Sequence, residues 1–214
     1  MIKLIIFDLD GTLVDSSVDL TNALNYAIEP YDIDRLTVQK TIGLVGEGIT
    51  RLIEKLLGPG RENIRQEVMD RFMDYYSAHL VDFTRPYAGV PETLALLRPY
   101  RKAVISNKRE SLSKKVLQEL GLLESFDAVL GSDSVGEKKP SPRPLLKVME
   151  MFSCGAAETV IVGDSNFDIE AGKAAGIRTI AVSYGFREVG LLQQADRIIA
   201  HIQELPPVLE TVGR

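Results

Sequence analysis

Five short apolar segments recur along the chain, and turn-favouring residues bound each of them. These segments are IKLIIF at 2–7, KAVIS at 102–106, FDAVL at 126–130, TVIVG at 159–163 and RTIAV at 178–182. Unbroken runs of this kind are typical of strands that are buried on both faces. Helical patterns separate most of them, as at 109–120, where one apolar stripe is followed by Gly121. The sequence therefore predicts an α/β fold with a doubly wound, Rossmann-like parallel sheet as its core.

The segment from 16 to 82 interrupts this pattern, because it carries helical stripes and no convincing strand. The three stripes lie at 20–28, 49–57 and 64–76. We therefore predict an inserted all-helical cap domain at 16–82, within an α/β catalytic core formed by 1–15 and 83–214. An insert directly after the first strand would lie over the C-terminal edge of the sheet, where ligands of doubly wound folds bind. We interpret it as a lid.

The bulk composition argues against several classes of protein. A formal net charge of −5 and the lack of a Lys/Arg block disfavour a nucleic-acid binder, which needs a basic face. The single cysteine, Cys154, permits no internal disulfide and suits a reducing, cytoplasmic compartment. The first apolar run ends at Asp8, so it is too short for a signal peptide or a membrane span. We expect a cytoplasmic protein without nucleic-acid or membrane partners, and the sequence leaves monomer and homodimer open.

Four carboxylates follow two of the predicted strands. Asp8 and Asp10 lie in DLDGT after the first strand, and Asp164 and Asp168 lie in GDSNFD after the fourth. Taken alone, the DxDG pattern is explained equally well by a solvated acidic turn without a function. Two like charges ~4 Å apart repel by roughly 4 kcal/mol at an effective dielectric of about 20, so four clustered carboxylates require a cation. Ligation by oxygen alone favours Mg²⁺ over zinc.

Two further strand ends carry groups that suit phosphate. Ser106 and Asn107 close the strand KAVIS and offer a hydroxyl, an amide and backbone N–H groups to phosphate oxygens. Taken alone, they are better explained as a helix N-cap. Lys139, in KKPSP, could neutralise the charge of a transferring phosphoryl group, although most single lysines are exposed loop residues.

Taken together and in this order, these segments resemble the haloacid dehalogenase-like hydrolase superfamily over nearly the whole chain. DLDGTLVDS resembles the first family motif, ISN the second, the lysine of KKPSPRP the third and VGDSNFD the acidic fourth. The helical insert resembles the small helical cap of one branch. The resemblance implies a Mg²⁺-dependent phosphatase that acts on a small phosphorylated metabolite. It assigns Asp8 as the nucleophile that forms an aspartyl-phosphate and Asp10 as the acid and then the base.

The same resemblance implies the ligands of the metal and of the phosphate. The metal would be held by the side chains of Asp8 and Asp164 and by the backbone carbonyl of Asp10, with Asp168 beside them. The phosphoryl oxygens would be held by Ser106 and Lys139. Lys138 is the alternative if the register of the third motif is shifted by one, and Thr12 and Asn107 are further candidates for substrate binding.

The substrate is predicted from the glycine-rich segment that contains Gly43, Gly46 and Gly48, ahead of the helical stripe that begins at Ile49. Its backbone donors at a helix N-terminus could hold a small anion, and an ordinary helix start is an equally good reading. Within the family, this segment and the return to the core resemble the phosphoglycolate phosphatases. We therefore expect 2-phosphoglycolate as substrate.

Several alternatives stay open at this point. A pyrophosphatase or a phosphatase of broad range for sugar phosphates or nucleotides would carry the same core motifs. A binding protein that kept the fold and lost turnover belongs to a different class, and the intact Asp8, Asp10, Lys139 and Asp164 argue against it. Dehalogenation is disfavoured because the family's dehalogenases have no acid at the position of Asp10.

Overall fold

The computed structural model of the chain describes residues 1–212 and contains two compact units. The first unit joins Met1–Asp15 to the segment that begins at Pro86, and the second unit is Ser16–Arg85. The sequence predicted the insert as 16–82. Its role as a separate lid domain stays a prediction.

The strands, in chain order, are β1 (Leu4–Phe7), β2 (Val14–Asp15), β3 (Arg85–Pro86), β4 (Arg101–Ile105), β5 (Ala128–Leu130), β6 (Thr159–Gly163), β7 (Arg178–Val182) and β8 (Arg197–Ile199). Within residues 1–212, six strands form one sheet in the order β5-β4-β1-β6-β7-β8, and each neighbouring pair is parallel. β2 and β3 pair in a separate two-stranded sheet. The predicted α/β class with a Rossmann-like parallel sheet is confirmed.

The helices of the first unit are α5 (Val90–Leu96), α6 (Glu110–Glu119), α7 (Arg143–Phe152), α8 (Asn166–Ala174) and α9 (Leu205–Val212). Every residue of β1 and β6 is buried, because these strands lie at the centre of the sheet. Side chains of both strands, such as Leu4 and Ile161, share one apolar cluster with Leu145 and Val148 of α7. This core fixes the strand ends that carry the polar motifs.

The helices of the second unit are α1 (Ser17–Ile28), α2 (Val38–Leu44), α3 (Ile49–Leu57) and α4 (Arg65–Ala78). α1 packs against α4 and α2, and α3 also packs against α4. The carboxylate of Asp19, which is 2% exposed, accepts hydrogen bonds from the backbone N–H groups of Phe83 and Thr84 and from the Thr84 hydroxyl. Asp19 thereby ties the end of this unit to its first helix.

The structure differs from the sequence-based expectations at several points, among them the two-residue strands β2 and β3, which the sequence did not predict. All five predicted strands are present, but the sequence missed β8, which has only Ile199 buried and therefore lacks a continuous apolar signal. The sequence also missed α2, where Thr41 is the one buried residue. Gly43 consequently lies inside α2 and not in the loop before α3, which corrects the predicted glycine loop to 45–48. None of the helices described within residues 1–212 has the length and apolar character needed to cross a membrane.

A pair of leucine substitutions in the first unit tests the assignment of the core. Leu4 is 0% exposed, whereas Leu96 is 69% exposed. We expect Leu4→Ala to lower the free energy of unfolding by about 2 to 5 kcal/mol, because it removes buried methyl groups and leaves a cavity. The matched variant Leu96→Ala should change it by less than about 0.5 kcal/mol. Urea denaturation followed by circular dichroism measures both, and equal effects of the two variants would contradict this core.

Candidate active site

Three neighbouring strands bring the polar motifs to one edge of the sheet. β4, β1 and β6 are adjacent and parallel, and they end directly before Ser106, Asp8 and Asp164. The carboxyl ends of parallel strands form the usual ligand-binding edge of such a sheet. Residues that are more than 150 positions apart in the chain, such as Thr12 and Asp164, therefore come within hydrogen-bonding distance.

The centre of the site is a cluster of three carboxylates and one lysine. Asp8, Asp164 and Asp168 each offer an oxygen, and these oxygens lie within 4.8 Å of one another. Lys139 Nζ lies 2.9 Å from Asp8 Oδ1 and 2.6 Å from Asp168 Oδ1. The side chain of Lys139 is 1% exposed, while Lys138 is half-buried. Of the two lysines considered from the sequence, Lys139 is therefore the one that the fold places among these acids.

The electrostatics of the cluster indicate an excess of negative charge. Burial raises the pKa of Asp8 to about 8; Lys139 opposes this shift, and the charges of Asp168 and Asp164 reinforce it. Burial and the charge of Asp168 raise the pKa of Asp164 to about 7. The pKa of Lys139 lies above its usual value, because Asp168 and Asp8 outweigh the effect of its burial. One lysine does not neutralise three buried carboxyl groups, so the cluster suits a cation.

The carboxylate of Asp164 is held by two other segments. The Thr12 hydroxyl donates to Asp164 Oδ1 at 3.3 Å, and the Phe186 N–H donates to Oδ2 at 2.7 Å. A Cβ atom at Gly11 or at Gly185 would overlap the Asp164 side chain. Two close approaches that only glycine permits therefore bring the loops into contact with this acid.

Asp168 is bound by protein donors on both of its oxygens. Lys139 contacts Oδ1, while the backbone N–H and the hydroxyl of Ser165 donate to Oδ2 at 3.1 Å and 2.6 Å. A Cβ atom at Gly163 would overlap the Asp168 side chain, so this strand end also needs glycine. Asp168 thus serves to orient Lys139 within the cluster.

Asp10, the second acid of the first motif, has a lysine partner that the sequence did not predict. Lys108 Nζ lies 2.6 Å from Asp10 Oδ1, and the two side chains are 7% and 11% exposed. A lysine just before a helix reads as an ordinary surface residue, and no local pattern distinguishes it. The pair forms because β4 and β1 are neighbours in the sheet, so the loops that follow them lie close together.

The second motif connects two loops of the site. Ser106 is 3% exposed, and its Oγ accepts a hydrogen bond from the backbone N–H of Lys108 at 3.2 Å. The Asn107 amide donates to the backbone carbonyl of Lys139 at 2.9 Å, which anchors the lysine loop. Substrate binding by Asn107 and Thr12 stays a prediction, and the contacts seen for both place them in support of Lys139 and Asp164.

Tyr184 holds the loop that carries the first motif. Its hydroxyl donates to the backbone carbonyl of Thr12 at 2.8 Å. Together with Gly185 and Phe186, it forms a segment after β7 that contacts both Thr12 and Asp164.

The predicted glycines of the insert lie in the second unit. Gly43 is exposed within α2, and Gly46 and Gly48 have φ values of 120° and 79°. Gly48 is the N-cap residue of α3. Their left-handed backbone explains the need for glycine at 46 and 48, and a contact with substrate stays a prediction for all three.

The fold and this site define an α/β enzyme whose acidic cluster lies at the carboxyl edge of a parallel sheet. A family model described as haloacid dehalogenase-like hydrolase matches residues 5–182. The chain belongs to this family of hydrolases. The resemblance seen in the four motifs is thereby confirmed.

Several proteins similar to this chain are named as phosphoglycolate phosphatases. A phosphoglycolate phosphatase of Aquifex aeolicus is 39% identical over 186 residues, which cover 86% of each chain. A phosphoglycolate phosphatase of Neisseria meningitidis is 40% identical over 202 residues, 91% of this chain and 86% of that protein. A crystal structure from Haemophilus somnus, described as a predicted phosphoglycolate phosphatase, superposes with a TM-score of 0.92 at 28% identity over 97% of this chain and 98% of that one. The expected enzyme class, phosphoric monoester hydrolase, is confirmed.

Two glycine substitutions, both between β7 and β8, test how closely the site is packed. We expect Gly185→Ala to lower kcat for an aryl phosphate by roughly 100-fold, because displacement of Asp164 by the new methyl group misplaces the cluster. The matched variant Gly190→Ala should leave kcat unchanged, since no atom lies within 4 Å of the added Cβ. Steady-state kinetics measure both. Full activity of Gly185→Ala would show that Asp164 does not need this close contact.

Proposed function

We propose that the chain is a Mg²⁺-dependent phosphatase that hydrolyses 2-phosphoglycolate through an aspartyl-phosphate on Asp8. The observation that carries this proposal is the position of Asp8 at the end of β1, beside Lys139 and two further acids. Covalent catalysis by a carboxylate needs a nucleophile with charge stabilisation close to the attacked phosphorus. A cytoplasmic location fits this role and remains a prediction.

The residues of the site fit Mg²⁺. Asp8 and Asp164 are the side chains that we propose as ligands, together with the backbone carbonyl of Asp10; Asp168, with both oxygens bound by Lys139 and Ser165, supports them from outside. The donor set consists of oxygens alone, which Mg²⁺ prefers. A bound Mg²⁺ would neutralise charge on the phosphate and on the clustered acids.

The charges of the site support a divalent cation in particular. Four carboxylates belong to it, namely Asp8, Asp10, Asp164 and Asp168, and the ammonium groups of Lys108 and Lys139 pair with three of them. With these six groups ionised, two negative charges remain among them. One dication would neutralise them, which removes the repulsion that otherwise opposes the approach of a phosphate dianion.

In the proposed first step, a carboxylate oxygen of Asp8 attacks phosphorus, and the bond from phosphorus to the leaving oxygen breaks. Asp8 is oriented for this step, because its Oδ1 accepts a hydrogen bond from the Leu9 N–H at 2.7 Å and contacts Lys139 at 2.9 Å. Asp10 supplies the proton that the leaving oxygen takes up. Lys139 and Ser106 hold the phosphoryl oxygens as their charge is redistributed.

In the proposed second step, water cleaves the aspartyl-phosphate and regenerates Asp8. Asp10, now a carboxylate, accepts a proton from the attacking water. The products are inorganic phosphate and the alcohol released in the first step. Because the same side chain gives and then takes a proton, its placement beside the leaving oxygen serves both steps.

The substrate is proposed from the relatives and from the charges of the site. The relatives from Aquifex aeolicus and Neisseria meningitidis are phosphoglycolate phosphatases that match this chain over most of their length. We further propose that Gly46 and Gly48 of the second unit take part in substrate binding. A broad-range phosphatase or a pyrophosphatase remains the alternative.

A comparison of substrates tests the proposal. We expect kcat/KM to be highest for 2-phosphoglycolate among a panel that also includes pyrophosphate, sugar phosphates and nucleotides. Asp8→Asn should abolish hydrolysis of every member, because an amide is a poor nucleophile, while Asp74→Asn at an exposed position should retain activity. Phosphate release measures both. Equal efficiency across the panel would reject the substrate, and activity of Asp8→Asn would reject the covalent mechanism.

The pH dependence of metal binding gives a second test. Burial raises the pKa of Asp8 to about 8 and that of Asp164 to about 7, so protons compete with a cation for these groups as the pH falls. A cation binds the deprotonated groups, so we expect Mg²⁺ affinity to weaken as the pH falls from 8 to 6 and binding to release protons. Calorimetry in two buffers with different heats of ionisation counts the protons. An affinity independent of pH, or activity that survives removal of Mg²⁺ by EDTA, would contradict these ligands.

A further inference from the structure

Lys108 is a charged group of the site to which the four motifs assign no function. It lies between β4 and α6, and its backbone is fixed on both sides: its N–H donates to Ser106 Oγ at 3.2 Å, and its carbonyl accepts from the Ser132 N–H at 3.0 Å. Its side chain is 7% exposed and reaches Asp10 Oδ1 with Nζ at 2.6 Å. A lysine held so far from bulk water needs a nearby anion.

The two lysines of the site face different acids. Lys139 contacts Asp8 and Asp168, which places its charge beside the nucleophile. Lys108 contacts Asp10, the acid that we place at the leaving oxygen. In the proposed mechanism, the side chain of Lys108 therefore lies on the side of the alcohol.

The distances favour a contact between Lys108 and a carboxylate of the substrate. Asp10 must lie within about 3 Å of the leaving oxygen to exchange a proton with it. In 2-phosphoglycolate, only one methylene carbon separates that oxygen from the carboxylate group. An ammonium group one hydrogen bond beyond Asp10 is thus within reach of that carboxylate, and a hydrogen bond between an ammonium group and a carboxylate is assisted by both charges.

We propose that Lys108 binds the carboxylate of the substrate and selects small phosphomonoesters that carry an anion next to the ester oxygen. This inference rests on the proposed function, because it uses the placement of Asp10 at the leaving oxygen. It makes Lys108 a specificity residue that lies in the first unit, directly after Ser106 and Asn107 in the chain.

A pair of matched substrates tests the role of Lys108. The pair is 2-phosphoglycolate and 2-hydroxyethyl phosphate, which has a neutral hydroxymethyl group in place of the carboxylate. We expect Lys108→Met to lower kcat/KM for 2-phosphoglycolate by about 10- to 100-fold more than for 2-hydroxyethyl phosphate, mainly through KM, because only the first substrate loses a charge-assisted hydrogen bond. Lys108→Arg should recover most of the preference.

Controls separate this outcome from a structural effect. Lys114→Met removes a lysine that is 49% exposed on α6 and should leave both substrates unaffected. An equal loss for both substrates in Lys108→Met would overturn the proposal, because it would show that Lys108 acts on Asp10 or on folding alone. Retention of the preference by Lys108→Met would overturn it as well. If the unmutated protein showed no preference for 2-phosphoglycolate over the neutral analogue, the proposed substrate would fall together with this inference, whereas the phosphatase reaction would stand.

If the unmutated protein hydrolysed neither phosphate, binding would decide the question without turnover. Calorimetric titration of the Mg²⁺-loaded protein with glycolate and with ethylene glycol should show binding of the carboxylate that Lys108→Met weakens by about 10-fold or more. Equal affinity of the variant and the unmutated protein for glycolate would overturn the role of Lys108 independently of catalysis.

Discussion

The buried contact of Lys139 with Asp8 and Asp168 is the interaction on which the rest of the site depends. Withdrawal of an ammonium group from water is costly, and nearby carboxylates must compensate for it. Two carboxylates at 2.9 Å and 2.6 Å do so here, and the Asn107 amide holds the lysine loop in place through the carbonyl of Lys139. The ends of β1, β4 and β6 must therefore be positioned together for any one of these charges to be tolerated.

Close packing against glycine keeps this charge cluster rigid. Gly11 and Gly185 allow two loops to touch Asp164, and Gly163 allows Asp168 to fold back against the end of β6. Side chains that are locked by such contacts need little reorganisation when charge moves during the reaction. These close contacts between glycines and the acids all lie within the first unit.

The two lysines place positive charge at two different points of the site. Lys139 stands beside Asp8, the proposed nucleophile, while Lys108 stands beside Asp10. A phosphomonoester that binds between them would meet a cation on the phosphoryl side and another on the side of its leaving group. This arrangement suits a substrate with two anionic groups, and it fits the phosphoglycolate phosphatases to which the chain is similar.

Local chemistry allowed much of the fold to be predicted. The apolar runs predicted all five of the strands with a strong burial signal, because a strand buried on both faces can contain hardly any polar residue. They missed β8, where only Ile199 is buried, and α2, which has a single buried residue, since partly exposed elements leave no periodic pattern. The glycine at 43 was misplaced for the same reason.

The sequence by itself determined the α/β class, the acids at the strand ends and the lysine loop, because these signals are contained in short segments. Only the tertiary structure decided that Lys139 and not Lys138 enters the cluster, that Asn107 and Thr12 support other site residues, and that Lys108 pairs with Asp10. These choices depend on which strand ends are adjacent in the sheet. That adjacency arises from burial of the whole core, and no short stretch of residues encodes it.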